Sequence, residues 1–222
     1  MAQYRIKEED QLQLQYNLIR SHSSGTGKPL SPIFVKSSIL ARLNTLSLGN
    51  SGVNTSVIHL MAALINRDIT PLIFEHGGVG ASGDLVQLAH LAFVLIGEGE
   101  VFYKGERKPT KEVFEIENLQ PIKVAIREGI ALMNGTSVMT ALAALSTHEA
   151  TRLLHWLELL TACLFQVLDG EPAVLCQQIH LARGFRGQSP VATPTRHTLH
   201  PPPVLAYPLA AHPWRHPPKP SA

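Results

Sequence analysis

Apolar residues recur along this chain at helical intervals, broken by short polar or glycine-rich stretches. The first such period covers residues 8–21, with Leu12, Leu14, Leu18 and Ile19 as its apolar positions. Ser21-His22-Ser23-Ser24-Gly25-Thr26-Gly27-Lys28-Pro29 has the composition of a loop. A second helix is predicted from about Pro32 to Leu48, where Ile33, Val35, Ile39, Leu40, Leu43 and Leu46 share one broad face. Gly49-Asn50-Ser51-Gly52 ends it. A third helix opens at Thr55 or Ser56, either of which can cap it, and carries Val57, Ile58, Leu60, Met61, Leu64 and Ile65. Pro71-Leu72-Ile73-Phe74 is short and extended. It leads into Gly77-Gly78-Val79-Gly80-Ala81-Ser82-Gly83, after which Asp84 stands at the N-cap position of a helix marked by Leu85, Leu88, Leu91, Ala92 and Leu95.

Residues 97–120 change character. Glu100-Val101-Phe102-Tyr103, a Lys104-Gly105 turn and a charged stretch predict a small hairpin excursion. Helical pattern resumes near Pro121, with Ile122, Val124, Ala125 and Ile126, and is interrupted at Glu128-Gly129 and Asn134-Gly135. From Thr136 to about Leu168 the Ala- and Leu-rich sequence predicts one long, well-buried helix, followed by a shorter one around Pro172–Ala182. Residues 189–222 hold ten of the sixteen prolines and neither aspartate nor glutamate. Proline at that density opposes helix and sheet alike, so no packed structure is expected there. Two readings of this segment stay open: a genuine proline-rich tail, and a non-native end, such as a shifted reading frame, never selected to fold.

Composition narrows the class. A chain of 222 residues, 45% hydrophobic and 16% charged, can bury a core as one or two domains. A net charge of +2 gives no electrostatic reason to expect nucleic acid or a membrane surface as partner. Cys163 and Cys176 provide no disulfide framework, and the charged opening does not resemble a signal peptide, so a cytoplasmic location is expected. The longest apolar runs fall short of a membrane span. His76, His90, His148, His155 and His180 lack the spacing of a metal motif, and no metal is expected. Gly97-Glu98-Gly99-Glu100 is not a dinucleotide fingerprint.

The glycine run carries the candidate chemistry. If the loop bends tightly, the amide nitrogen of Gly83 can attack the carbonyl carbon of Ala81. Two dehydrations, one of them of Ser82, then leave a ring with an exocyclic methylidene. Glycine offers an unhindered nitrogen and unusual dihedrals, alanine an uncrowded carbonyl, and serine the hydroxyl that is eliminated. A helix starting after Asp84 would point its amides at the loop and favour negative charge there. Taken alone, Ala-Ser-Gly is a common tripeptide and a plain turn.

Its surroundings are less common. Gly77-Gly78-Val79-Gly80-Ala81-Ser82-Gly83-Asp84-Leu85, followed by Leu88-Ala89-His90, resembles the signature of the histidine and aromatic amino-acid ammonia-lyases. Upstream, Leu14-Gln15-Tyr16-Asn17-Leu18-Ile19-Arg20-Ser21-His22-Ser23-Ser24-Gly25-Thr26-Gly27 is similar to that family's substrate-selectivity region. Downstream, Arg127-Glu128-Gly129-Ile130-Ala131-Leu132-Met133-Asn134-Gly135-Thr136 is similar to its second block. Val86-Gln87 departs from the small-residue–Pro pair common there. The likeness covers residues 1–188, strongly to about 147, and residues 189–222 lie outside it.

The resemblance implies a mainly α fold, a long-helix bundle of the ammonia-lyase/fumarase-like type, here incomplete. It implies a 4-methylidene-imidazole-5-one (MIO) prosthetic group made from Ala81, Ser82 and Gly83, with no metal or nucleotide. Asn134 matches the asparagine that contacts the MIO or the substrate carboxylate; alone it reads as a turn residue before Gly135. Leu85 belongs to the substrate-binding set. Ser21 and His22 match the pair that reads the substrate side chain. Phenylalanine lyases typically carry Phe-Leu there, many tyrosine lyases His-Leu, and histidine lyases Ser-His. An imidazole can bond a phenol or another imidazole, so tyrosine and histidine both stay open as substrates. Residues 1–32 look closest to a bacterial group that includes tyrosine lyases.

The family works as a homotetramer whose active sites each draw on three subunits. Its catalytic tyrosine loop precedes the position of Met1, and its carboxylate-binding arginine follows the region of likeness. Two expectations result. One is an ammonia-lyase, in which the substrate amine adds to the electrophile and ammonia leaves to give an α,β-unsaturated acid. The other is a non-catalytic truncated or frame-shifted fragment of such an enzyme, with the long helix 136–168 left without its partners.

Overall fold

The computed structural model describes Lys7 and residues 10–199. The chain divides into two compact units, with the boundary between His148 and Glu149. That boundary falls inside a helix. The first unit contains α1 (Gln11–His22), α2 (Pro32–Ser47), α3 (Thr55–Asn66) and α4 (Leu85–Leu95). It continues with α5 (Thr110–Ile116), α6 (Glu128–Met133) and the start of α7 (Ser137–Val167). Strand β1 (Thr26–Pro29) pairs antiparallel with β3 (Phe74–His76). Strands β2 (Thr70–Pro71), β4 (Glu100–Tyr103) and β5 (Glu106–Pro109) form an antiparallel sheet in the order β2-β4-β5. The expected hairpin is β4–β5, with Tyr103 opposite Glu106 and both turn residues, Lys104 and Gly105, at positive φ.

Local chemistry accounts for most of the boundaries. Pro32 opens α2, where a missing N–H costs nothing. The cap of α3 is Asn54, one residue earlier than expected, and its side chain accepts from Ser56 N at 2.9 Å. Helix α4 lies at the centre, packed on α1, α3 and α6, with eight of its eleven residues buried. Around it sit Ile19, Val35, Ile39, Leu64, Val101, Phe114 and Met133. Each such side chain removed from water contributes roughly 1.5–3 kcal/mol before the entropy of ordering is subtracted.

Residues 121–127 correct the sequence reading. They are not helical, because their backbone finds partners elsewhere. Ile122 N donates to Leu95 O at 2.9 Å, Val124 N to Tyr16 Oη at 3.2 Å, and Ala125 N to Glu128 Oε2 at 2.7 Å. The expected break at Glu128-Gly129 is instead the start of α6. Glu128 is buried and also accepts from Asn54 N at 2.6 Å. Gly129 leaves room for Gln15, whose Oε1 accepts its N–H at 3.2 Å.

Beyond His148 lie the rest of α7, a 3₁₀ turn at Pro172–Leu175, α8 (Gln177–Arg183) and α9 (Gln188–Leu199). Helix α7 is continuous, as the pattern predicted. Its far half is not well buried: Leu153 and Leu157 are 64% and 60% exposed. Helix α9 falls where no packed structure was expected, with Ala192 and Thr195 buried. Pro190 sits in its first turn, where an N–H has no helical acceptor in any case. Within the helix, the hydroxyls of Thr195 and Thr198 donate to the carbonyls of Val191 and Pro194 at 2.9 and 3.0 Å. The remainder of the proline-rich segment, 200–222, lies outside the described residues. Among the described residues no helix is long and apolar enough to cross a membrane.

Candidate active site

The loop between β3 and α4 is bent by three glycines at positive φ: Gly77 at 123°, Gly80 at 72° and Gly83 at 84°. Gly83 is also required by contact, since a Cβ there would lie 2.2 Å from the carbonyl oxygen of Gly135. Gly83 and Gly135 form a parallel bridge, and Asp84 N donates to Gly135 O at 2.8 Å. This pairing brings the Ala81-Ser82-Gly83 segment to Asn134-Gly135. Asp84 precedes α4, yet its side chain makes no cap hydrogen bond to that helix. Its carboxylate accepts from Val138 N and Met139 N, each at 2.9 Å, and so caps α7. A negative charge there also meets the positive end of the α7 dipole.

A pocket of about 240 Å³ opens beside the loop, lined by His22, Leu85, Val86 and the run Gly77–Gly83. His22, Ala81, Ser82, Gly83 and Leu85 therefore share one cavity. Ser21 is not in its wall: the hydroxyl donates to Leu18 O at 3.0 Å and lies 3.1 Å from His22 Nδ1. Asn134 is also outside the lining. Its side chain is exposed, and its carbonyl accepts from Arg42 Nη2 at 2.8 Å.

His22 Nδ1 lies 2.9 Å from Leu18 O. A carbonyl only accepts, so Nδ1 carries the proton and Nε2 of the neutral ring is an acceptor. The loop that follows His22 is tied to α4 by His90, whose Nε2 accepts from Gly25 N at 3.0 Å. Phe74 packs edge-on against His90, with ring centroids 5.3 Å apart. Burial holds the His90 pKa below the ordinary histidine value, which keeps the ring in the neutral form that can accept.

Arg42 is a site residue that sequence reasoning missed. It falls in register with Val35, Ile39 and Leu46, so a charge within an apolar stripe was the available signal. Among the described residues no group of three or more His, Cys, Asp or Glu is arranged to hold a metal ion.

The histidine ammonia-lyase of Trypanosoma cruzi superposes with a TM-score of 0.81 at 32% identity, over 86% of this chain and 38% of that one. The tyrosine aminomutase of Streptomyces globisporus gives 0.81 at 35% identity, over 86% and 36%. In sequence, the histidine ammonia-lyase of Bacillus cytotoxicus is 42% identical over 194 residues, 87% of this chain and 38% of that protein. The family model described as aromatic amino acid lyase matches residues 1–214, and the chain belongs to that family. It spans less than two-fifths of the length of the curated relatives it matches.

Proposed function

We propose that the pocket beside the glycine loop is part of an amino-acid ammonia-lyase centre, in which Ala81-Ser82-Gly83 closes into MIO. The substrate is an L-amino acid with a hydrogen-bond-donating ring, which loses ammonia to give an α,β-unsaturated acid. The observation that carries this reading is the single pocket shared by His22 and Ala81-Ser82-Gly83. The loop fits the ring: three of its glycines are at positive φ, and nothing lies within 4 Å of a Cβ built at Gly80. When formed, the ring supplies an electrophile for the substrate amine.

The chain's own residues have distinct tasks. His22 Nε2 accepts from the donor on the substrate ring, an imidazole N–H or a phenol O–H. Ser21 acts behind it, helping to hold the His22 ring against the end of α1. Leu85 adds an apolar wall at the first turn of α4. Asn134, beside the Gly83–Gly135 pairing, is assigned to the substrate carboxylate. L-Histidine is the favoured substrate, because relatives about 40% identical to this chain are histidine ammonia-lyases; L-tyrosine is the second.

A second reading is a chain that folds without turning substrate over by itself. It is favoured by the stripe Leu153, Leu157, Leu160 and Leu164 on α7, which is exposed throughout. Both are tested on the purified 222-residue chain by peptide mass and product assay. The expected result is loss of two waters from the peptide bearing Ala81-Ser82-Gly83, with more urocanate from L-histidine than coumarate from L-tyrosine. Unchanged mass in a folded sample overturns the ring. Two waters lost without either product leaves the second reading.

A further inference from the structure

Arg42 sits mid-way along α2 and is 4% exposed. A guanidinium persists at such a position only where its N–H groups find acceptors. Nη2 donates to two carbonyls, those of Ala131 and Asn134, the latter at 2.8 Å. Ala131 lies in the last turn of α6 and Asn134 is its C-cap, where carbonyls have no partner within the helix. Nη1 lies so close to Gly135 that a Cβ there would be 2.1 Å away. Nε makes no hydrogen bond, so the clamp rests on Nη2, with Nη1 packed against Gly135.

Gly135 passes this constraint to the loop. Its carbonyl oxygen accepts from Asp84 N and is the atom a Cβ at Gly83 would strike. Asp84 in turn holds the first amides of α7. Arg42 is thus one residue removed from Gly83, whose nitrogen is the nucleophile of ring closure.

We propose that Arg42 is a positioning residue for that closure: by clamping the carbonyls of Ala131 and Asn134 it seats Gly135 against Gly83, and so sets the approach of Gly83 N to the Ala81 carbonyl carbon. The inference rests on the reading of Ala81-Ser82-Gly83 as the ring-forming tripeptide. In the closure, a bond forms from Gly83 N to that carbon. The Ala81 carbonyl oxygen leaves as water with one hydrogen from Gly83 N and one from Ser82 N. Ser82 then loses its hydroxyl and its Cα hydrogen as the second water. Arg42 donates no proton to these atoms; it acts through backbone placement alone.

The test compares Arg42→Lys and Arg42→Met with the unchanged 222-residue chain. Three quantities are read: circular dichroism for folding, mass of the Ala81-Ser82-Gly83 peptide for ring yield, and hydrogen exchange at the Asp84, Val138 and Met139 amides. In folded Arg42→Met the ring yield falls at least about tenfold, and less in Arg42→Lys, with faster exchange at Asp84. Equal ring yield in the folded fraction overturns the proposal, even if thermal stability has dropped, because that is the mark of a structural role only. If Arg42→Met does not fold, Arg42→Lys decides on the same readouts. If the unchanged chain loses no water, the ring reading itself fails and the exchange arm decides on the clamp. Faster Asp84 exchange in the variant then keeps it, and unchanged exchange removes it.

Discussion

Leu88, Leu91 and Leu95 of α4 and Leu153, Leu157 and Leu160 of α7 repeat at the same intervals of three and four residues. The first set is at most 2% exposed and the second at least 60%. Among the described residues, every one of the largest fully buried side chains, from Ile19 to Met133, precedes His148. Between Glu149 and Leu199 the buried side chains are small, such as Ala162, Ala192 and Thr195, and α8 buries none of its residues. An apolar stripe therefore specifies which side of a helix seeks cover. Whether cover exists depends on other elements: α1, α3 and α6 supply it for α4.

This contrast can be tested by truncation. Leu88→Ala should cost about 2–5 kcal/mol, the transfer term plus the cavity left in a packed core. Leu157→Ala should stay within about 0.5 kcal/mol, since its side chain is already in water. Urea unfolding of both variants in the same chain measures the difference. Equal losses would break the contrast and mean that Leu157 is covered in solution.

Next in size is the tie between Asp84 and α7. Asp84→Ala should cost about 1–2 kcal/mol, because two amides in the first turn of α7 lose a carboxylate acceptor. Hydrogen exchange should speed up at Val138 and Met139 and stay unchanged near Leu157. Acceleration along the whole helix would show that α7 responds as one unit instead.

The smallest effect is titration of His90. Its folded pKa lies below the unfolded value of about 6.5. As pH falls through that value the unfolded chain binds the proton first, so stability is full above it and declines toward the folded pKa. His90→Gln keeps a side-chain acceptor for Gly25 N without titrating. Urea midpoints at about pH 7.5 and 5.5 should differ less in the variant than in the unchanged chain. An unaltered difference would assign the dependence to another group.

Several elements were legible before any coordinates. The hairpin follows from Lys104-Gly105 between alternating residues, and α2 from Pro32 and the spacing of Val35, Ile39 and Leu46. The three motif blocks around His22, Ser82 and Asn134 pointed to one loop and its neighbours. What was not legible depended on distant partners. Residues 121–127 read as helical until Leu95, Tyr16 and Glu128 claimed their amides. Asp84 stood at a cap position, but the helix its side chain caps begins at Ser137. Arg42 drew no reading although it falls in register with Val35, Ile39 and Leu46, and Ser21 gave no sign that its hydroxyl turns away from the pocket.

By itself the chain determined where α1 to α4 and α7 run, where the β4–β5 turn falls, and that a serine between alanine and glycine sits in a glycine-rich bend before α4. Those features arise from backbone preferences and side-chain periods within a few residues. Only the tertiary structure decided that Gly83 meets Gly135, 52 positions later, with Arg42 behind one and Asp84 beside the other. A backbone contact of that kind leaves no periodic trace: Gly83 is needed because a Cβ would meet the Gly135 carbonyl, Gly135 because a Cβ would meet Arg42, and neither glycine names its partner.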